Sequence, residues 1–215
     1  MQIGNYDVIG RCILALSMAC SVAINARAED VPPDVLVRQT TEEVLAVVRS
    51  DNDIQAGNVA RIVQLIEEKV APHFDFERMT RLAVGRPWRE ASPVQREALV
   101  REFHTLLVRS YSAAFTAYTG VAVEYRPHKM NAGSTETRVQ TLIKLPGGAP
   151  PMDVDYEMGH TADGWKVYDV RVAGASLIIN YRNLFAQEIQ TGGTDGLIKS
   201  LVNKNNGKAQ PVSNK

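Results

Sequence analysis

The clearest pattern of hydrophobic and polar positions lies in the segment 164–185, GWKVYDVRVAGASLIINYRNLF. Apolar and polar residues alternate over 165–172, which predicts a strand with one apolar face and one polar face. Gly174 interrupts the alternation, and Ser176 is a suitable N-cap for a helix. Apolar residues then recur at helical spacing, at Leu177, Ile178, Tyr181, Leu184 and Phe185. The segment is therefore predicted to be a strand that runs directly into an amphipathic helix.

Further helices are predicted upstream of this segment. Residues 35–49 and 59–70 carry apolar residues at helical spacing, and a short helix is expected over 75–82. The longest helix begins at the capping box Ser92-Pro93-Val94-Gln95 and continues to Gly120. At 1.5 Å per residue this helix is roughly 39 Å long, which is enough to cross a whole sheet.

Four strands are predicted in the second half of the chain, over 121–126, 136–145, 152–158 and 165–172. The third strand alternates strictly, with Met152, Val154, Tyr156 and Met158 on one side and acidic residues on the other. Turns rich in glycine, proline and asparagine separate the strands. This pattern is typical of an antiparallel meander with one polar and one apolar face. The helices must cover the apolar face, so the predicted fold class is α+β.

The N-terminus is typical of a secretory signal peptide. Arg11 precedes a short apolar run, and Ala26-Arg27-Ala28 is a small-x-small cleavage site. The run is short for a bilayer span, although a transmembrane anchor and a lipoprotein acylated at Cys20 remain alternatives. We expect residues 1–28 to be removed and the protein to reside in the periplasm.

The remainder is predicted to be a single domain over residues 29–203, followed by a disordered polar tail over 204–215. Both cysteines, Cys12 and Cys20, precede the predicted cleavage site. The mature domain therefore has no thiol for a disulfide, a nucleophile or a metal site. The chain has 24 basic and 24 acidic residues. This balance, without a basic stripe, argues against nucleic-acid binding and predicts only transient contact with a membrane surface.

No motif for catalysis or nucleotide binding stands out. Gly147-Gly148 lies between prolines and lacks the Lys-Ser or Lys-Thr that completes a phosphate-binding loop. The chain has no Gly-x-Ser-x-Gly elbow. The histidines fall in four separate segments without a second ligand at metal spacing, at His73, His104, His128 and His160. We therefore expect no enzyme activity, no metal and no cofactor.

Three groups of motifs carry a family resemblance over nearly the whole mature chain. The first is the segment 164–185, and the third is Gly193-x-x-Gly196-Leu197-Ile198. The second, 73–115, has an Asp-Phe start, a Gly-x-x-Trp turn at Gly85 to Trp88, a Pro-x-Gln-Arg helix start and a tyrosine near the helix end. In this order the motifs resemble the toluene-tolerance (MlaC) family, the periplasmic phospholipid-binding components of the Mla (maintenance of lipid asymmetry) system. The chain has Ile-Ile-Asn-Tyr-Arg-Asn at 178–183, where the family is closer to Val-x-Asn-Tyr-Arg-Ser.

The resemblance implies a fold and a function. The fold is a twisted four-stranded antiparallel sheet wrapped by about six or seven helices, with an apolar cavity between the sheet and the helices. The function is that of a monomeric carrier, whose cargo is a phospholipid with its acyl chains in the cavity and its head group largely exposed. The implied partners are an outer-membrane Mla lipoprotein–porin complex and an inner-membrane Mla ABC transporter, between which the carrier maintains outer-membrane lipid asymmetry.

Strand alternation and helical phase suggest which side chains face this cavity and bind lipid. The sheet is expected to contribute Val139, Thr141, Ile143, Met152, Val154, Tyr156, Met158, Tyr168, Val170 and Val172. The helices are expected to contribute Phe103, Leu107, Tyr111, Phe115, Tyr181 and Phe185. The alternative is that these faces pack on one another, since the sequence does not distinguish a filled core from a lined cavity.

Two other classes of function are compatible with the sequence. One is an enzyme with a cone-shaped, nuclear-transport-factor-like cavity that acts on a small apolar substrate. It would need an inward polar residue, for which Thr141 and the tyrosines are the candidates. The other is a periplasmic adaptor with a packed core that binds only proteins.

Overall fold

The computed structural model describes residues 30–117 and 120–207 of the 215-residue chain, with side chains for all of them except 113–117. The predicted signal peptide, 1–28, and the predicted tail beyond residue 207 lie outside the described residues. The α-helices in the described part of the chain are α1 (Pro33–Ser50), α2 (Asn52–Gln55), α3 (Val59–Leu65), α4 (Phe76–Val84), α5 (Pro87–Glu90), α6 (Pro93–Ala117) and α7 (Leu177–Asn206). None of them combines the length and apolarity that a membrane crossing requires.

A tight connection leads from α3 to α4. It consists of a π-helical turn (Ile66–Val70) and a 3-10 turn (Ala71–His73). Phe74 then forms a parallel bridge with Val167, and the backbone N of the next residue donates to the Val167 carbonyl at 2.9 Å. Residues 66–75, which we call the α3–α4 connection, are thereby fixed against a strand of the sheet.

Within residues 30–117 and 120–207, five strands form one open antiparallel sheet in the order β1-β2-β3-β4-β5. They are β1 (Ala122–Tyr125), β2 (Glu136–Lys144), β3 (Met152–Thr161), β4 (Gly164–Val172) and β5 (Ala175–Ser176). The predicted α+β class and the antiparallel meander are confirmed, but the predicted count of four strands omits β5. This strand exists because Ala173 and Gly174, with φ of 48° and 82°, turn the chain back onto β4.

An irregularity between β3 and β4 changes which residues share the apolar face. Tyr156 pairs with Val170, whereas Met158, two residues later, pairs with Val167. Tyr168 is the extra residue, and its ring lies on the opposite face of the sheet. The prediction that Tyr168 shares a face with Val170 and Val172 is therefore wrong, because one inserted residue reverses the facing of the strand.

Asp169 anchors the junction between β4 and α7. Its carboxylate accepts hydrogen bonds from Ser176 Oγ and from the backbone N of Ile178, the latter at 3.0 Å. Ser176 Oγ in turn accepts from the backbone N of Ile179 at 3.1 Å, which confirms Ser176 as the N-cap. Asp169 can be buried because its carboxylate accepts from one backbone N–H at the start of the helix and from the Ser176 hydroxyl.

The long helices α6 and α7 pack against each other. The predicted capping box is confirmed, since Gln95 N donates to Ser92 Oγ and Ser92 N donates to Gln95 Oε1. Gly193, with φ of 63°, breaks α7 into two helical parts. The second part places Leu197 in a core shared with α6 and continues to Asn206, so the first residues of the predicted tail are helical.

Among the residues that the structure describes, buried apolar side chains form three clusters. The α4–α7 core joins helices α4 to α7 and contains Phe103 and Phe185. A second cluster joins α1, α2, α3 and the π-helical turn, with Val108 contributed by α6. The third lies between α1 and the sheet and includes Val37 and Met158. Helix α1, rather than the longer α6, therefore covers the apolar face of the sheet.

Candidate functional site

An apolar cavity of about 230 Å³ lies between α1 and the apolar face of the sheet. Helix α1 forms one wall, strands β1 to β4 form the other, and the α3–α4 connection borders one side. The lining residues are Leu36, Val37, Thr40, Thr41, Val44, Leu45, Val48, Val70, His73, Phe74, Val121, Val123, Ile143, Tyr156, Met158 and Val167. Most of these side chains are hydrocarbon, so the cavity suits an apolar guest and offers few partners to a buried polar one.

The sequence of α1 explains its role as a wall. Val37, Val44 and Val48 recur at helical spacing and are buried against the rest of the protein. Thr40 and Thr41 lie on the same side of the helix and line the cavity. Because threonine is smaller than leucine, these two positions leave space that a larger apolar side chain would occupy.

Polar contacts near its two ends attach α1 to the sheet region. Near the N-terminal end, Asp34 Oδ1 lies 3.6 Å from His128 Nδ1. Near the C-terminal end, Arg49 Nη2 donates to the Val121 carbonyl at 3.3 Å. Both contacts are partly buried, and together they position α1 against the sheet region.

On the side of the edge strand β1 the lining residues Thr41, Leu45 and Val123 are only half-buried, so the cavity approaches the surface between α1 and β1. We call this region the β1-side mouth. At its edge the guanidinium carbon of Arg38 lies 4.1 Å from the centre of the Tyr125 ring. Burial raises the pKa of the Tyr125 hydroxyl, so the group remains protonated and able to donate a hydrogen bond.

On the other side, His73 of the α3–α4 connection brings an imidazole into the lining. Burial, and then the positive charge of Lys166, lower the pKa of His73, while the carboxylate of Glu43 acts in the opposite direction. Lys166 is held close by, since its Nζ donates to the Pro72 carbonyl at 2.6 Å. The neutral imidazole is therefore favoured, which suits an apolar lining. The described part of the chain contains no cluster of three His, Cys, Asp or Glu side chains arranged for a metal ion.

The ten sheet residues predicted to face the cavity occupy three settings. Those in the lining are Ile143, Tyr156 and Met158. Those on the same face of the sheet but outside the lining are Val139, Thr141, Met152, Val154, Val170 and Val172. Tyr168 lies on the opposite face because of the irregularity in β4. The cavity thus touches only part of the apolar face, and direct packing against the helices covers much of the rest.

The helix residues predicted to face the sheet lie elsewhere. Phe103, Leu107, Tyr181 and Phe185 all belong to the α4–α7 core. The Phe103 ring meets the rings of Tyr181 and Phe185 edge-on, with centroids 4.8 and 5.1 Å apart. Tyr111 is 41% exposed, and Phe115 falls outside the described side chains. These aromatic residues therefore pack on one another, because α6 and α7 pair with each other, whereas α1 covers the cavity-lining face of the sheet.

The α1 wall is the part of the site that the sequence analysis missed. The signal was present, since a helix with a buried apolar face was predicted over 35–49. Periodicity shows that a helix has a buried face but does not name what that face packs against. Val70, Phe74 and Val123 were missed for a similar reason, because they come from a connection and an edge strand with weak patterns.

The family model described as "MlaC protein" matches residues 38–203. This chain belongs to the MlaC family. The match begins within α1 and includes the sheet, most of the cavity lining and most of α7. The resemblance predicted from the motifs is confirmed.

Two MlaC relatives match most of this chain. The intermembrane phospholipid transport system binding protein MlaC of Haemophilus influenzae is 19% identical over 191 residues, which span 88% of this chain and 89% of that protein. Toluene tolerance protein ttg2D of Pseudomonas putida is 24% identical over 169 residues, which span 78% of this chain and 77% of that protein.

A solved structure gives the same fold. The phospholipid-binding protein from Ralstonia solanacearum, solved in complex with a phospholipid, is 32% identical and superposes with a TM-score of 0.76. The superposition covers 84% of this chain and 99% of the Ralstonia chain. The helix-covered sheet described above is therefore shared with a relative that holds a lipid.

Proposed function

We propose that this MlaC family protein binds a phospholipid and carries it through the periplasm. The observation that carries the proposal is the apolar cavity between α1 and the sheet, with lining residues such as Val44, Ile143 and Met158. The Ralstonia relative, which was solved with a bound phospholipid, supports the same class of ligand for this chain.

Lipid transport through water requires that the acyl chains be covered. Two acyl chains contain on the order of thirty methylenes, and at about 0.8 kcal/mol each their exposure costs roughly 24 kcal/mol. A carrier needs only to cover the acyl chains about as favourably as the bilayer does, because the membranes that donate and accept the lipid are both apolar inside. A cavity with many apolar contacts and few polar ones meets this requirement and permits both loading and release.

The size of the cavity adds a mechanical requirement. Its volume of about 230 Å³ is below the roughly 300–1,000 Å³ of pockets that hold a drug-sized ligand. Two acyl chains therefore enter only if α1 and the sheet separate further. Helix α1 is the wall that would move in this proposal, because among the described α-helices it is the one that separates most of the lining from the solvent side, and polar contacts such as Arg49 to Val121 hold it near its ends.

In this proposal the protein is a monomer that makes transient contacts at both membranes. It exchanges lipid with an outer-membrane Mla lipoprotein–porin complex and with an inner-membrane Mla ABC transporter. The name of the Haemophilus relative, an intermembrane phospholipid transport system binding protein, supports this route. The predicted signal peptide, 1–28, is consistent with a periplasmic site of action.

Native mass spectrometry of the protein purified gently from cells tests lipid binding. We expect about one phospholipid per chain.

A matched pair of variants in β1 then tests the cavity. Val123→Asp places a carboxylate in the lining and should greatly reduce lipid retention. Ala122→Asp places the same group on the exposed face opposite Lys144 and should retain lipid.

Wild-type protein that is consistently free of lipid would contradict the proposal and favour the packed adaptor. Equal lipid content in the folded Val123→Asp and Ala122→Asp proteins would show that lipid binds outside this cavity. Thermal unfolding of each variant distinguishes loss of lipid from loss of the fold.

A further inference from the structure

One face of α1 runs along the β1-side mouth and carries a distinct set of side chains. Arg38, Leu45 and Arg49 are spaced by seven and four residues, which places them on the same flank of the helix. Thr41 lies between this flank and the buried face and lines the cavity together with Leu45. A ligand that leaves the cavity at this mouth therefore passes directly beside Arg38 and Thr41.

Arg38 has its hydrogen-bonding groups available. Its guanidinium stacks on the Tyr125 ring at 4.1 Å, a contact that fixes the plane of the group but uses none of its N–H donors. Among the described residues no carboxylate lies within 4.0 Å of this guanidinium, and no acceptor receives a hydrogen bond from it. The nearby Asp34 is directed to His128 instead.

Two hydroxyl groups lie beside this guanidinium. Tyr125 carries the ring on which Arg38 stacks, and Thr41, three residues after Arg38 in α1, lines the cavity. Burial and the carboxylate of Glu42 raise the pKa of the Tyr125 hydroxyl, whereas the positive charge of Arg38 lowers it. A planar guanidinium with free N–H groups and adjacent hydroxyls is suited to bind a phosphate, since arginine donates to two phosphate oxygens at once.

We propose that Arg38, Thr41 and Tyr125 bind the phosphate of a phospholipid at the β1-side mouth, while its acyl chains occupy the cavity. The inference rests on the proposed function and adds a specific head-group contact to it. The chemistry is that of a phosphate diester, so the site should favour any phospholipid over a lipid with the same tails and no phosphate. A free phosphate ion is the other possible source of the same group.

Paired lipids test this assignment. The full-length protein, stripped of lipid, is incubated with vesicles that contain equal amounts of phosphatidylglycerol and of diacylglycerol with identical acyl chains. Native mass spectrometry then gives the ratio of the two bound lipids. Wild type should favour phosphatidylglycerol, and Arg38→Gln should reduce that preference about 3- to 10-fold, the effect of losing an exposed charge-assisted hydrogen bond.

Two further variants provide the controls. Arg38→Lys keeps the charge but loses the planar fork, so it should retain an intermediate preference. Arg81→Gln removes an exposed arginine from α4, outside the cavity lining, and should leave the preference unchanged. Thermal unfolding confirms that the Arg38 variants remain folded.

The outcomes separate the head-group site from the carrier function. If wild type binds both lipids equally, or if Arg38→Gln keeps the wild-type preference, the head-group site is wrong and the carrier function stands. If wild type binds neither lipid, the carrier function itself fails. Inorganic phosphate that binds at low millimolar concentration to lipid-free wild type, but not to Arg38→Gln, would assign the site to a free anion and overturn the lipid head group.

Discussion

At the scale of single residues, His73 places an ionisable ring in an otherwise apolar lining. Burial and the charge of Lys166 lower its pKa below the ordinary value of about 6.5. In the unfolded chain the ring binds a proton more readily than in the native protein. The stability contributed by neutral His73 is therefore fully present above pH 6.5 and is lost as the pH falls through the native pKa.

An NMR titration of the His73 ring measures this effect directly. We expect a midpoint below 6.5, and we expect Lys166→Met to raise it, because a nearby positive charge is removed. Lys199→Met removes an equivalent charge from an exposed position on α7 and should not move the midpoint. A midpoint above 6.5, or no response to Lys166→Met, would show that His73 is not in the environment described.

At the scale of elements, the α4–α7 core and the cavity behind α1 should respond differently to truncation. Phe103 is fully buried among aromatic rings, so Phe103→Ala should lower the free energy of unfolding by about 3–5 kcal/mol. Ile143 borders the cavity and is only half-buried, so Ile143→Ala should destabilise the protein less. Urea unfolding of lipid-free protein measures both changes.

Lipid retention by the same two variants shows whether the lipid contacts the α4–α7 core or the cavity behind α1. Folded Phe103→Ala should still retain lipid, whereas Ile143→Ala should retain less because it loses apolar contact with the acyl chains. The reverse result would mean that the lipid contacts Phe103, as the helical phase predicted, and not the cavity behind α1.

At the scale of the whole molecule, lipid binding should stabilise one part of the fold more than another. Ligand that binds only the native state raises its stability, by about 2.7 kcal/mol at one hundred times the dissociation constant. Hydrogen exchange should therefore slow on loading, most clearly in α1 and in β1 to β3, which enclose the cavity. The α4–α7 core should change least. Equal protection of both regions would argue against α1 as the moving wall.

Local features of the fold could be predicted because they depend on neighbours in sequence. The Ser92–Gln95 capping box and the Ser176 N-cap are set by side chains that bond three residues away. The alternation of β3 places Met158 on the apolar face because successive side chains point to opposite sides. Family membership could be predicted for a related reason, since the order and spacing of motifs are properties of the sequence.

The sequence by itself determined the longer helices, the strands β1 to β4, the α+β class, the family and the apolar character of one sheet face. Only the tertiary structure decided that α1 covers that face, that the Phe103 aromatics form a separate core, and that Tyr168 is turned away from the cavity. It also decided that Arg38 meets Tyr125 across the mouth. Periodicity predicts that one face of an element is buried. Which element packs against that face depends on the packing of segments that are distant in sequence, and no local pattern encodes it.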